Sequence, residues 1–553
     1  MTTRLPVLAS LVVIAALNCS AANSAAASSG KSATPTMSES SNPDLQIPYP
    51  TDVLTYHYNI YRQGATLQET TLTPSNVNVN TFGKINFFSG DAKVDAQPLY
   101  VNEQFINGSL NNTVYMVTEN DSVYAYSANT GRLFWMVSVL RSGETPSDDH
   151  SCSQISPTIG IPDTPVIDKA AGAHGGIFFV AMTKDSSGNY HQRLHALDLE
   201  TGAELFGGPT EIAAMYPGTG DGSQNGMVIF NPGQFAERAG ILEFGTTLYL
   251  AFTSHCDARP YTGWIMAYSA RTLQQTSVID VTPNGNEGAI WMAGDGLAAD
   301  SSGNIYFLDG NGVFDTTLNS QGFPSMGDYG NAFMKLSNST GTLQVADYFN
   351  MYNTVQESDA DEDLGSGGVM VLPDLLDNNG QVHHLAVGAG KDTNIYVVNR
   401  DNMGKWNPNN NNQIYQELEG ALPGGEWAKP AYFNNTVYYG DVGDNLKAYP
   451  ISNAMLATTP SSQSPTSFEY PGTTPSVSSN QNTNGIVWAV ENSSPAVLHA
   501  YNANNLAQEL YNSNQAGSRD QFGPGNKFIT AIVANGKVFV GTQTGVAVFG
   551  LLQ

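Results

Sequence analysis

The sequence predicts an all-β chain, an eight-bladed β-propeller of four-stranded antiparallel blades with its ring closed by an N-terminal strand. Three observations carry this: a strand ending that recurs eight times, a last unit one strand short, and no long apolar run of helical period. The recurring column reads Ala125-Tyr126-Ser127, Ala196-Leu197-Asp198, Ala267-Tyr268-Ser269, Lys335-Leu336-Ser337, Val397-Val398-Asn399, Ala448-Tyr449-Pro450, Ala500-Tyr501-Asn502 and Ala547-Val548-Phe549. β-rich stretches such as Ile177-Phe178-Phe179-Val180 and Ile305-Tyr306-Phe307-Leu308 precede it, and turns such as Thr130-Gly131 and Thr201-Gly202 follow. A small β-unit cannot bury both its faces alone, so its repetition implies stacking on like neighbours.

The final unit shows three strands, within 528–534, 537–541 and 545–551, and then the chain ends. A missing fourth strand would leave an open edge. Gly83-Lys84-Ile85-Asn86-Phe87-Phe88 resembles the outer strand Leu133-Phe134-Trp135 and is expected to fill it. The column members lie farther apart early in the chain than at its end, so the early and middle blades carry the insertions, where function more often sits.

Ahead of the ring, Arg4, the apolar run from Leu5 to Leu17 and the Ala/Ser-rich run from Ala21 to Ser29 have the pattern of an export signal, placed at 1–25. The apolar run is shorter than the roughly 20 residues a membrane span needs. Ala16 stands where a lipoprotein signal prefers Leu, which argues against a lipid anchor at Cys19. Residues 26–45 read as a disordered leader and 46–553 as one propeller domain. The expectation is an exported monomer, periplasmic or extracellular. With 49 acidic against 22 basic residues and a net charge of -27, the chain has no basic clusters for nucleic acid or an anionic membrane.

After export only Cys152 and Cys256 remain, in loops of adjacent blades; they either pair as a disulfide or stay two separate buried thiols. His255 beside Cys256 reads as structural rather than as half of a nucleophilic pair. Gly388-Ala389-Gly390-Lys391 lacks the first glycine and the Ser/Thr of a phosphate-binding loop, and His383-His384 alternate across a strand.

The acidic run Glu357-Ser358-Asp359-Ala360-Asp361-Glu362-Asp363-Leu364-Gly365 is the strongest chemical signal. Asp359, Asp361 and Asp363 at alternate positions can converge on a hard cation, although the spacing is not that of an EF-hand. The plain alternative is a solvated acidic loop. Asn311, after one inner strand, and Lys391, before another, would face the central funnel; otherwise they are a turn residue and a loop lysine.

Ala125-x-Ser127-x-x-Thr130-Gly131-x-x-x-Trp135 and Ala196-x-Asp198-x-x-Thr201-Gly202 resemble the tryptophan-docking repeat of the quinoprotein alcohol dehydrogenase-like propellers. The resemblance runs from about residue 94 to the C-terminus and implies an eight-bladed ring. It also implies pyrroloquinoline quinone and Ca²⁺ in the funnel, with Asn311 on the metal, Lys391 on the quinone and Asp361 or Asp363 as catalytic base. The chain departs from that pattern: it has no vicinal cysteine pair, no counterpart of the glutamate completing the calcium site, and no Trp before the catalytic Asp. Two readings follow. One is a module binding a small molecule or a protein through its funnel and inserted loops; the other is a quinone- and calcium-dependent dehydrogenase acting on an alcohol or sugar.

Overall fold

The computed structural model describes residues 51–552, so the export signal, Cys19 and the leader lie outside the described residues. Eight sheets of four to six strands follow one another along the chain, with a three-stranded and a two-stranded excursion beside them. The first sheet is a simple meander of Leu99–Ile106, Ser109–Val117, Ser122–Ser127 and Leu133–Ser138. All eight members of the repeated column fall in the strand next to a sheet's outermost one, from Ser122–Ser127 in the first to Gly545–Leu551 in the last.

Alternation of side chains explains how the sheets stack. In the second sheet Gly176–Lys184 is buried over nearly its whole length. Ile177, Phe179 and Ala181 join a core with Tyr115, Val117 and Ala125 of the first sheet. Phe178 and Val180 point the other way, into a core with Leu248, Leu250 and Phe252 of the third. One strand of period 2 thus serves two interfaces, which is why it reads as a continuous apolar run. The outermost strand Leu133–Ser138 has no second partner and remains largely exposed or half-buried. The last sheet shares a core with the first, where Ile532, Phe539 and Val548 meet Val114, Met116 and Tyr126.

The last sheet runs Phe82–Ser89, Gly545–Leu551, Lys537–Thr542, Ile532–Ala534. Phe82–Ser89 pairs antiparallel with Gly545–Leu551, from Phe82 opposite Leu551 to Ser89 opposite Gly545.

A segment without regular structure, residues 53–64, runs along the first strands of the sheets. Val53 exchanges two backbone hydrogen bonds with Tyr100 of the first sheet. The carbonyls of Leu54, Ile60, Tyr61, Gln63 and Gly64 accept from Ile167, Ala299, Val371, Tyr432 and Val477 of the second, fourth, fifth, sixth and seventh. Arg62, with no exposed surface, donates to Ile241 O beside the third sheet and to Leu297 O, and the Tyr58 hydroxyl accepts from Val533 N of the eighth. Innermost strands carry backbone N–H groups with no further strand to pair with, and this strap satisfies them. Its curvature comes from left-handed backbone at His57, Tyr58, Arg62 and Gly64. Among the described residues no helix is long and apolar enough to cross a membrane.

Candidate functional site

Loops from several sheets surround a cavity of about 190 Å³. Asn311 follows the strand Ile305–Leu308, Asp361 and Asp363 follow a six-residue helix Thr354–Asp359, and Lys391 follows Leu385–Ala389. All four line the cavity. Asp359 does not: it is exposed at the end of the helix, so of the three alternating carboxylates only two converge.

They converge on Lys391, whose Nζ lies 2.6 Å from Asp363 Oδ1 and 2.7 Å from Asp361 Oδ1. Asn311 Nδ2 donates to Asp361 Oδ1 at 2.8 Å, and Trp291 Nε1 to Asp363 Oδ2 at 3.3 Å. The two carboxylates differ in environment: the Asp363 side chain is 3% exposed and that of Asp361 69%. Burial pushes the Asp363 carboxyl above its ordinary value, and the Lys391 ammonium only partly offsets this. Burial also works against the charge on Lys391, but the carboxylates of Asp363 and Asp361 outweigh it and hold the ammonium above the usual lysine value.

The acidic loop is seated by backbone contacts. Lys391 N donates to Asp363 O, and Leu364 N donates to Asn331 Oδ1 at 2.6 Å. A side chain at Gly365 would place its Cβ 2.4 Å from the Asp309 carbonyl carbon, so only glycine allows this approach. Asp309 beneath it is fully buried, and burial drives its carboxyl well above the ordinary range.

One wall is aromatic. Trp291 meets Phe528 edge-on at 5.9 Å, Phe528 meets Tyr470 at 6.3 Å, and Tyr470 meets Trp427 at 5.9 Å. Three cations stand over these rings: Arg238 at 5.9 Å from Phe528, Lys527 at 5.6 Å from Tyr470, and Lys391 at 5.9 Å from Trp427. Cys152 and Cys256 also line the cavity, joined in a disulfide with Cα atoms 5.7 Å apart. His150 stacks on His255 at 3.9 Å, and burial pushes the His255 imidazole down to about 4.

The sequence reading missed Arg238, Trp291, Trp427, Tyr470 and Phe528. A preceding glycine does not mark the two tryptophans, because Gly263-Trp264, Gly404-Lys405-Trp406 and Gly485-Ile486-Val487-Trp488 share it.

Asn311 Oδ1 is buried without a hydrogen-bond partner, which is one oxygen donor to spare. A calcium ion takes about six to eight oxygens. Here two carboxylates already face an ammonium, and among the described residues no group of three or more His, Cys, Asp or Glu side chains is arranged to hold a metal. The donor set does not fit Ca²⁺. The rings and cations do fit a planar anionic organic molecule, the class to which pyrroloquinoline quinone belongs.

No family model matches the sequence, and no curated protein matches it. Solved structures do. A quinohaemoprotein alcohol dehydrogenase from Comamonas testosteroni is 13% identical, with a TM-score of 0.58 over 91% of this chain and 80% of that one. A second, from Pseudomonas putida HK5, gives 13% and 0.57 over the same shares. A europium-containing methanol dehydrogenase gives 13% and 0.58 over 91% of this chain and 98% of that one. At these identities the likeness is one of fold, and the chain has the β-propeller fold of the quinoprotein alcohol dehydrogenases.

Proposed function

We propose that the eight sheets are the blades of one ring, closed by Phe82–Ser89, and that the protein is an exported, monomeric binding module whose central cavity takes a planar anionic organic ligand. One observation carries this reading: in a chain of net charge -27, two basic side chains that line the cavity, Arg238 and Lys391, stand over rings of its wall. The carboxylates of Asp361 and Asp363 hold Lys391 in its charged form, so an ammonium is present at the wall for an anionic group to pair with. Rings flanked by cations attract flat anions by stacking and by charge together.

Pyrroloquinoline quinone, a fused-ring tricarboxylate, is the probe of choice. Titration followed by tryptophan fluorescence is expected to show saturable quenching as the ligand covers Trp291 and Trp427. Lys391→Met weakens it about tenfold, the loss of one partly buried charge contact worth roughly 1.4 kcal/mol. Failure of both the quinone and a naphthalene dicarboxylate to saturate the quenching would sink the reading.

A second reading, a quinone-dependent dehydrogenase oxidising an alcohol or sugar, is favoured by the buried Asp363 carboxyl beside Lys391 and by the fold. Lys391, Arg238, Trp291 and Trp427 would hold the quinone, which supplies a two-electron acceptor when bound. Asp363 would then take the proton of the substrate hydroxyl at Oδ1 or Oδ2. Dye-linked alcohol oxidation by protein loaded with quinone, with and without Ca²⁺, and lost in Asp363→Ala, would establish it. No turnover with any alcohol or sugar tried, despite bound quinone, leaves the binding module.

A further inference from the structure

A covalent clasp joins two lining segments of the cavity, and we propose that reduction of the Cys152–Cys256 disulfide opens it, placing ligand access under thiol–disulfide control. The two cysteines come from loops of different sheets. One loop precedes the second sheet's strand Val166–Asp168 and gives the cavity Cys152, Gln154 and Ile155. The other follows the third sheet's strand Thr247–Ser254 and gives it His255, Cys256 and Tyr261. Breaking the bond therefore releases two lining segments from each other.

Little else ties these segments together. Among the described residues, only the His150–His255 stack stands beside the disulfide across the two segments; the other bonds are internal, such as Cys152 N to Asp149 O and Ser254 Oγ to Asp257 Oδ1, or run to other parts of the fold, such as Lys527 Nζ to Ser153 O and Arg259 to Asp221. Both ends of the clasp also sit on backbone that side-chain-bearing residues avoid. His150 and Ser151 have φ of 49° and 61°, and Cys256 and Asp257 have 49° and 53°. Release of the bond lets four such residues leave the left-handed region.

The two sulfurs are unequally reachable, since Cys256 is exposed and Cys152 is buried at 5%. A dithiol reductant attacks as thiolate at the Cys256 sulfur, the Cys152–Cys256 bond breaks, and Cys152 leaves as a thiolate that takes up a proton. The second thiol of the reductant then displaces Cys256. The protein gains two electrons and two protons as two thiols, and the reductant becomes a disulfide.

What the clasp admits rests on the binding reading above, but the opening does not, and it is tested without ligand. Full-length protein is reduced with dithiothreitol, its thiols are titrated, and acrylamide quenching of tryptophan fluorescence is recorded. Two additional thiols should appear, with the quenching constant rising about twofold as Trp291 and Trp427 become accessible through local opening. The Cys152→Ser/Cys256→Ser protein should show the higher value without reductant and ignore dithiothreitol. Two new thiols with unchanged quenching would overturn the gate. So would an equal rise in a Trp291→Phe/Trp427→Phe protein, or loss of the near-ultraviolet circular dichroism that signals global unfolding. Titrating quinone into oxidised and reduced protein separates the claims: increased quenching without quinone binding in either form keeps the gate and discards the ligand.

Discussion

Deleting residues 80–92 lowers the unfolding free energy by about 5 kcal/mol or more, a large part of the roughly 5–15 kcal/mol that holds a typical domain. Phe82 and Phe88 have no exposed surface, and full burial of each contributes about 1.5–3 kcal/mol. Phe82 packs on Trp488 at 5.5 Å, Tyr511 at 5.0 Å and Phe549 at 6.3 Å, so its loss opens the contact between the seventh and eighth sheets. Phe88 stacks on Tyr126 of the first sheet at 5.0 Å, and the Tyr126 hydroxyl donates to Ser89 O at 2.7 Å. One strand thus bonds to Gly545–Leu551 of the last sheet and packs on the first, and without it Gly545–Leu551 becomes an open edge. Urea unfolding measures the effect, with deletion of 377–381 as the control. That turn joins the short strands Leu375–Leu376 and Val382–His383, whose Leu376 and Val382 are already exposed. Equal urea midpoints for the two deletions would show that the strand does not hold the sheets together.

What the sequence made legible follows from where each residue's partners lie. The repeated column was readable because the strand next to the outermost one is paired on both edges and packed on both faces, which leaves few residue choices, chiefly Ala, Val and Tyr, then a turn. The strap over 53–64 was not. It binds through carbonyls, and its bends come from left-handed backbone at His57, Tyr58 and Arg62, so it shows no apolar period. At the site, Asn311 and Lys391 stood out as polar residues beside glycine at strand ends, and Asp361 and Asp363 as alternate carboxylates of an acidic run. Asp359 looked equivalent to its neighbours, but the chain is helical up to Asp359 and not beyond, which parts it from the other two carboxylates. Arg238 was hidden between Glu237 and Ala239 at an inner strand's end, where neighbouring side chains face opposite ways. A wall assembled from single residues of separate sheets has no signature in any one stretch.

The protein is expected to be more stable at pH 5 than at pH 8, the reverse of a protein stabilised chiefly by exposed carboxylate pairs. Burial pushes Asp163, Glu243 and Glu357 up to about 8 and Asp280 to about 7, with Asp328, Asp392 and Asp441 at about 6. Each holds its proton in the folded chain and loses it near pH 4 when unfolded. Between those values the folded state binds more protons, so stability is fully present below about pH 4 and falls with rising pH until the folded value is passed, by about 1.4 kcal/mol per unit for each such group. Buried His57 and His255 and half-buried His150 work the other way below about pH 6.5, because desolvation lowers their values and the unfolded chain takes up protons more readily. Three imidazoles do not balance seven carboxyls. Self-repulsion within a chain of net charge -27 adds to the decline as the remaining acids ionise. At the acid end Asp91, Asp300 and Asp520 set a limit: despite burial, hydrogen bonds to Asn, Tyr, Arg and hydroxyl side chains hold their carboxyls below the usual range, and that stability is lost as pH falls through their lowered values. Urea midpoints at pH 5, 6.5 and 8 should therefore decrease in that order. Asp163→Asn tests the buried Asp163–Glu237 carboxyl pair, since both Asp163 oxygens are buried and that position cannot ionise once amidated. Relative to the unaltered chain the variant should gain stability steadily from pH 5 to pH 8; a constant difference across that range would show that Asp163 is not the proton-holding group.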